Sequence, residues 1–338
     1  MGIKIIKNDK LWMEESAISQ LQKLAVYEGV LDIVGLPDLH FGKTPIGTTI
    51  KTKDIIYPFW IGNDIGCGMS LYDTSLQLKK CYIDKIVKKL ENTKITGKYS
   101  IGGGNHFCEL QMIDCVYNSS LMEKLSLNKN HLYVLVHSGS RQMGDDIYNQ
   151  FASTDGLRVN HENYKEYMNL HDQAVGFARE NRNQIADIFM GMLGYKYCNQ
   201  LIIDCIHNYI EIKEDEYYHH KGSISTQDNE YAVIAGSRGS HSYIVKCISQ
   251  ESTLYSISHG AGRKWPRHLC KGRLETKYKK DKLKVSQLGS RVITYDKAVL
   301  YEEASEAYKD IHHIIDVLLE YRVIELVARL KPLVTYKC

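Results

Sequence analysis

Five times along this 338-residue chain a short apolar run breaks off at a side chain able to hold a metal or a phosphate, usually beside glycine. Asp64 and Cys67 lie in IGNDIGCG, and Asn105 and His106 in GGGNHF. His137 closes VLVHSGSR, His207 and Asn208 sit in DCIHNYIE, and His259 lies in SISHGAGR. Strand-to-loop junctions are where rigid scaffolds present chemistry. Glycine lets a backbone approach a ligand closely and adopt positive φ. A chain that repeats this device must bring distant segments to one place.

The rest of the pattern fits one compact α+β domain, mixed strands flanked by helices around a central cleft. Residues 12–28 carry Leu21, Leu24 and Ala25 on one helical face. From Val34 to Tyr72 short apolar runs broken by glycine and proline predict strands and tight loops. Lys79–Leu90 has helical spacing among many lysines and reads as a solvated basic face. Strands are expected at Leu132–Val136, Val233–Ala235 and Tyr255–Ser258, and over Val323–Tyr336. Helices are expected over 161–186, over 187–213 passing through His207, and over 303–320. No repeat, low-complexity tract or linker divides the chain.

Composition narrows the class. Hydrophobic residues make up 43% and charged residues 25%, the balance of a folded globular protein rather than a disordered one. The net charge of +3 is too small to imply nucleic-acid binding, which must be argued from local clusters. Most of the 24 tyrosines read as packing material, although tyrosine also stacks on bases. Nine scattered cysteines without a CxxC pair or a signal-peptide pattern argue against a disulfide framework. No window reaches 18 uninterrupted apolar residues, so no membrane span is expected. A reducing, cytoplasmic setting follows, in which a thiolate can serve as a metal ligand.

Taken singly, each histidine reads as a satisfied structural residue. Together the clusters supply one carboxylate, one thiolate and several imidazoles, a donor set suited to zinc, iron or manganese rather than calcium or magnesium. A thiolate can bridge two cations, which makes a two-metal site conceivable. Zinc-finger spacing is absent, and spacing alone does not establish convergence. A second constellation resembles a phosphate cradle: Ser138, Gly139, Ser140 and Arg141; Gly236 to Ser240; and Gly260, Gly262 and Arg263. Glycine loops expose backbone N–H groups, and serine and arginine add donors. Arg263–Lys284 gathers many further basic residues, among them Arg267, Lys271, Arg273, Lys277, Lys279, Lys280, Lys282 and Lys284, and is either an RNA-backbone contact or a solvated lysine-rich hairpin.

In order and spacing these motifs resemble the RtcB family of RNA ligases over most of the chain. PDLHFGKTPIG at 37–47, NDIGCG, GGGNHFCELQ, VHSGSR, CIHNYIE, AGSRGSHSYIV, SHGAGR, EEASEAYKD and VARLKPLVTYK are each similar to a segment of that family. The resemblance implies a single ligase domain over 1–338 that uses GTP and two Mn²⁺ ions. Asp64, Cys67, His106, His137 and His207 would bind the metals, with Cys67 bridging, and His259 would be the nucleophile that receives GMP. Asn105, Asn208, Ser237 and Arg141, with Gly260, Gly262 and Arg263, would hold phosphates, and Phe107, Glu109 and Lys337 would shape the guanine pocket. The substrates implied are RNA 3′-phosphate or 2′,3′-cyclic phosphate ends and 5′-hydroxyl ends, in RNA repair or tRNA splicing, with an archease-like activator as a further partner. Departures from the family pattern are Asn63, Gly66 and Arg238 and a shortened 220–232 segment. Two other readings stay open: a metal-dependent phosphodiesterase or phosphatase acting on RNA ends, which needs no His259, and a non-catalytic RNA-end-binding protein.

Overall fold

The computed structural model describes residues 2–196 and 200–337. The strands are β1 (Gly2–Ile5), β2 (Val30–His40), β3 (Ile46–Lys53), β4 (Ile55–Ile56), β5 (Gly68–Gln77), β6 (Phe107–Val116), β7 (His131–Ser138), β8 (Leu157–Arg158), β9 (Gln200–Ile206), β10 (Asn208–Lys213), β11 (Glu216–Lys221), β12 (Ser223–Ser225), β13 (Tyr231–Ile234), β14 (Ser242–Cys247), β15 (Ser256–Ser258), β16 (Arg291–Thr294) and β17 (Ile324–Lys337). The helices are α1 (Glu15–Leu24), α2 (Pro58–Ile61), α3 (Ile83–Glu91), α4 (Ser119–Lys124), α5 (Gln142–Phe151), α6 (Glu162–Met192), α7 (Arg267–Leu274), α8 (Val299–Glu302) and α9 (Ile311–Glu320).

Two mixed sheets carry the molecule. One has the order β1-β2-β3-β11-β10; the other runs β13-β14-β17-β6-β7-β5-β9, with β16 added on β17. The β1–β2 and β16–β17 pairs are parallel, and the rest are antiparallel. Strand β7 shows why the larger sheet sits centrally. Leu132, Val134 and Val136 pack with Leu90 of α3 and with Ile185 and Phe189 of α6. Tyr133 and Leu135, on the opposite face, pack with Val34 and Leu36 of β2 and with α9. A strand buried on both faces needs an unbroken apolar run, which is what LYVLV is. Because side chains alternate, His137 falls on the Tyr133–Leu135 face, towards the smaller sheet. The expected α+β class and mixed sheets are therefore found.

Several expected elements differ. The first helix spans Glu15–Leu24 rather than 12–28, since Glu14 is extended and the chain turns at Gly29, whose φ is +72°. Helix α6 starts as expected but continues to Met192. No helix passes through His207: residues 200–213 form β9 and β10, and 197–199 lie outside the described residues. Helix α9 begins only at Ile311, capped by the Asp310 carboxylate, and 303–310 hold a 3-10 turn at Ser305–Ala307 and a bridge from Tyr308 to Arg263. Strand β17 is one long strand, not several. Among the described residues no helix is long and apolar enough to cross a membrane.

Candidate active site

Strand pairing alone brings the scattered motifs together. Strands β6, β7, β5 and β9 are consecutive neighbours, with Phe107 opposite His137, and Gly68 opposite both Ser138 and Ile206. His106 precedes β6, Cys67 precedes β5, His207 follows β9, and His137 is next to last in β7. All four therefore fall at one end of the sheet. His207 is also where the chain leaves the larger sheet and enters β10 of the smaller one, with its N–H donated to Cys67 O at 2.8 Å. Buried Arg182 of α6 fixes the two flanking loops by donating to Gly66 O at 2.9 Å and Ser138 O at 3.0 Å, while Asp204 accepts from it at 2.7 Å. Gly66, with φ +71°, lies so close to α6 that an ideal Cβ would come within 2.9 Å of Val175 Cα.

The donor atoms form two groups, Cys67–His137–His207 and Asp64–Cys67–His106, each with its ligand atoms within 4.8 Å of one another. Cys67 belongs to both. Its Sγ lies 3.2 Å from His137 Nε2 and 3.4 Å from His106 Nε2, and His137 Nε2 lies 3.3 Å from His207 Nε2. Asp64 Oδ2 is 2.7 Å from His106 Nε2. Asn105 O accepts from His137 Nδ1 at 3.3 Å, which makes Nε2 the lone-pair nitrogen. Burial, reinforced by neighbouring imidazoles, pushes His137 and His207 far below the usual histidine range, so both are neutral. Burial and the Asp64 carboxylate push the Cys67 thiol up. Burial also raises Asp64, but His106 and Arg141 outweigh it and hold the carboxyl well below the usual range. Lone pairs aimed at shared points, with few protons to separate them, are what one or two borderline cations would satisfy. The donor set and spacing fit such a group.

His259 follows β15 and stands beside this cluster, its ring centroid 4.6 Å from that of His207. Its Nδ1 donates to Asp38 Oδ2 at 2.7 Å, leaving Nε2 as the lone-pair nitrogen of a ring that lines the cavity. Asp38 lies near the end of β2 and is fully buried. Burial raises its carboxyl, yet the His259 hydrogen bond more than offsets this and keeps it ionised. Lys309 brackets the position by donating to Pro37 O at 3.1 Å and Leu39 O at 2.6 Å. Gly262, φ +69°, passes so close that an ideal Cβ would meet Asp38 O at 2.3 Å. Nothing within PDLHFG itself marks Asp38 as a functional residue. A carboxylate in a glycine- and proline-rich segment was the available signal, but nothing local links it to a histidine 221 residues away.

A cavity of about 650 Å³ opens over this cluster. It is lined by Asp64, Cys67, Asn105, His106, Phe107, His137, Arg141, His207, Asn208, Ser237, His259, Gly260, Gly262, Arg263 and Lys337. Glu109 lies behind the wall instead, bonded to Thr335 Oγ1 and Gln111 Nε2, and burial raises its carboxyl to about 7. Ser138, Gly139 and Ser140 also face away; Gly139 seats Asp64, and Ser138 Oγ donates to Ile101 O at 2.8 Å. Several predicted anion donors are already bound to protein. Arg263 serves Trp265 O, Glu303, Tyr308 and Glu302 O; Asn208 spans Asp64 O and Gly222 N. Arg238 donates to Leu300 O at 2.6 Å. Lys337 donates to Gly104 O and His106 O, and burial lowers it to about 8. Among the described residues, eight lysine and arginine side chains line the cavity against four carboxylate side chains, which makes this lining electropositive. The basic segment after His259 is helix α7 and a short 3-10 turn rather than a hairpin, with Lys264, Trp265 and Arg267 on the cavity wall.

The family described as tRNA-splicing ligase RtcB matches this chain over residues 20–100 and 85–338. An Escherichia coli protein named RNA-splicing ligase RtcB2 is 38% identical, covering 98% of this chain and 94% of that protein. A tRNA-splicing ligase RtcB of Archaeoglobus fulgidus is 28% identical over 69% of this chain and 58% of its own length. RNA-splicing ligase RtcB1 of Escherichia coli is 25% identical, with 90% of each chain covered.

Proposed function

Since the chain belongs to the RtcB family, we propose that it is a GTP- and Mn²⁺-dependent RNA ligase that joins 3′-phosphate or 2′,3′-cyclic phosphate ends to 5′-hydroxyl ends through a guanylate carried on His259. The observation that carries this reading is the Asp38–His259 pair, 2.7 Å apart, set beside two donor groups that share Cys67. A hydrolase needs the donor groups alone. It gives no account of an imidazole held in one tautomer by a buried carboxylate.

Asp64, Cys67 and His106 would hold one Mn²⁺, and Cys67, His137 and His207 the other. Bound there, the ions would offset negative charge on the triphosphate and on the transition state. His259 Nε2 attacks the α-phosphorus of GTP; the N–P bond forms and pyrophosphate leaves. The Nδ1 proton stays between the ring and Asp38, whose negative charge stabilises the cationic ring of the adduct. A 3′-phosphate oxygen then takes the guanylate, breaking the N–P bond. The 5′-hydroxyl attacks this activated phosphate and GMP leaves, while a cyclic phosphate is first opened by water. Lys264 and Arg267, the first residue of α7, border the cavity and suit an RNA backbone. Phe107 and Lys337 would meet the nucleotide, whereas Glu109, held by Thr335 and Gln111 behind the wall, would not contact it.

The deciding experiment is incubation with α-labelled GTP and Mn²⁺. An acid-labile, alkali-stable label on the protein, absent in His259→Ala, is the expected result. No label in the intact protein at any Mn²⁺ concentration, with RNA ends nevertheless hydrolysed, establishes the phosphodiesterase reading instead.

A further inference from the structure

The stretch Lys94–Ser100 leads into the cavity wall, and the chemistry above makes no use of it. Tyr99 and Phe177 of α6 are stacked, with ring centroids 5.9 Å apart and planes at 18°. Both rings are half-buried, and the exposed Lys98 places Nζ 5.4 Å from one centroid and 5.9 Å from the other. The space next to Phe177 is open: an ideal Cβ on Gly176 would meet nothing within 4 Å. The segment is held rigidly. Asn181 Oδ1 accepts from Ser100 N at 3.0 Å, its Nδ2 donates to Ser100 O at 3.1 Å, and Ile101 is fully buried.

From Tyr99 the chain runs straight to the site. Gly102 and Gly104, at φ +95° and +65°, lie against the guanidinium groups of Arg141 and Arg267, and Gly103 to His106 line the cavity. Gly103 is the fourth residue after Tyr99, so the Tyr99 Cα stands within about 14 Å of the wall. Upstream, exposed Lys94 lies 5.6 Å from the ring of Tyr295, itself 43% exposed. Stacked aromatic faces accept any base, and a lysine at their edge can turn to the neighbouring phosphate. The glycine path between two guanidinium groups then suits the phosphodiester that follows.

We propose that Tyr99 and Phe177, with Lys98, form a base-stacking platform that takes an unpaired nucleotide of an RNA strand whose end lies in the cavity. The proposal rests on the RNA-ligase reading and adds a site for one of the two strands, at the Tyr99 end of the glycine path whose far end, Gly104, lies against Arg267. It places the energy of strand capture in a sequence-tolerant ring contact rather than in base-edge hydrogen bonds.

The test is fluorescence anisotropy with a short, labelled single-stranded oligouridylate bearing a 5′-hydroxyl. Tyr99→Ala and Phe177→Ala should each weaken binding about 5- to 100-fold, and Tyr99→Trp should restore it. Lys98→Gln should reduce the slope of log K against log salt by about 0.7, the contribution of one phosphate contact on a single strand. Transfer of label from GTP should be unchanged in all four. Tyr99→Leu, which keeps apolar volume without a π face, carries the test where the alanine variant does not fold. Wild-type affinity in Tyr99→Leu and Phe177→Ala, in a protein that still takes the GTP label, overturns the platform alone. A wild-type protein that takes no label and binds no RNA overturns the ligase reading and the platform with it.

Discussion

Replacing Asp38 by Asn tests whether the carboxylate sets the reactivity of His259. The side chain keeps its shape, so the geometry survives and only charge and donor pattern change. Two orientations are open to the amide, and both are costly. With its oxygen towards His259, the ring keeps its proton on Nδ1, but a charge-assisted bond of 2.7 Å becomes a neutral one. That forfeits about 1–1.5 kcal/mol. The NH₂ group then occupies the position of Asp38 Oδ1, a buried atom with no hydrogen-bond partner, and leaving a donor unmatched there costs about 1–3 kcal/mol more. With NH₂ towards the ring, Nδ1 must accept, the proton moves to Nε2, and the lone pair that attacks phosphorus is gone. The first orientation sets the lower bound. The unmatched donor is buried in ground and transition state alike and lowers stability rather than rate, so the about 1–1.5 kcal/mol lost against the developing cationic ring slows guanylylation by about 5- to 13-fold. Single-turnover transfer of label from α-labelled GTP at saturating nucleotide measures it directly. A rate within threefold of wild type, in a variant that still binds GTP, refutes a role for Asp38 in fixing the tautomer.

Three further outcomes follow from the same contacts. Cys67→Ser should lose most bound Mn²⁺ from both groups at once, because the shared thiolate becomes a hydroxyl that seldom ionises; retention of one ion by metal analysis contradicts sharing. Arg182→Met removes a buried cation that Asp204, Gly66 O and Ser138 O depend on, and should cost about 3–5 kcal/mol in urea unfolding as well as metal affinity; a loss under 1 kcal/mol shows that the network is dispensable. Lys309 is lowered by burial from 10.5 to about 8. Between those two values the unfolded chain therefore holds a proton that the folded one has released, and this raises stability as pH rises. Relative to Lys309→Met, the wild type should gain about 2–3 kcal/mol between pH 8 and pH 10.5, and parallel pH–stability curves for the two would show that Lys309 titrates normally in the fold.

The parts of the site that could be read in the chain are those tied to strand ends. His106, Cys67, His137 and His207 each sit where an apolar run stops, and pairing β6, β7, β5 and β9 side by side converts four separate endings into one edge. The helix expected over 187–213 failed for a physical reason. Ile203, Ile206, His207 and Ile210 have helical spacing, yet the same residues suit two strands buried between layers, and a short apolar run does not distinguish these. The difference matters for function. A helix through His207 would have kept it within one layer, whereas the β9-to-β10 crossing places it between the sheets, within reach of both Cys67 and His259. The segment 303–310, expected as helix, likewise carries Glu303, Tyr308 and Lys309 to Arg263 and the Asp38 segment, contacts that a regular helix would have turned away from.

What stayed hidden is what acts on the reactive groups from behind. Asp38, Lys309 and Arg182 are charged residues with no special local spacing, and each does its work through atoms far away in the chain: His259, Pro37 O and Leu39 O, and Gly66 O and Ser138 O. Donor types can be recognised in a sequence because the chemistry of a metal or a phosphate restricts them to a few side chains. Orientation has no such alphabet, since any buried group with a proton or a lone pair in the right place can supply it. The same reasoning explains why Arg263 and Asn208 looked like anion donors. Their types are right, but their hydrogen-bonding capacity is spent on neighbours that only the fold brings near, whereas Arg267, bonded through Nε to Glu303 and through Nη2 to Asn105, stays 46% exposed and keeps donors that can meet a phosphate at the mouth.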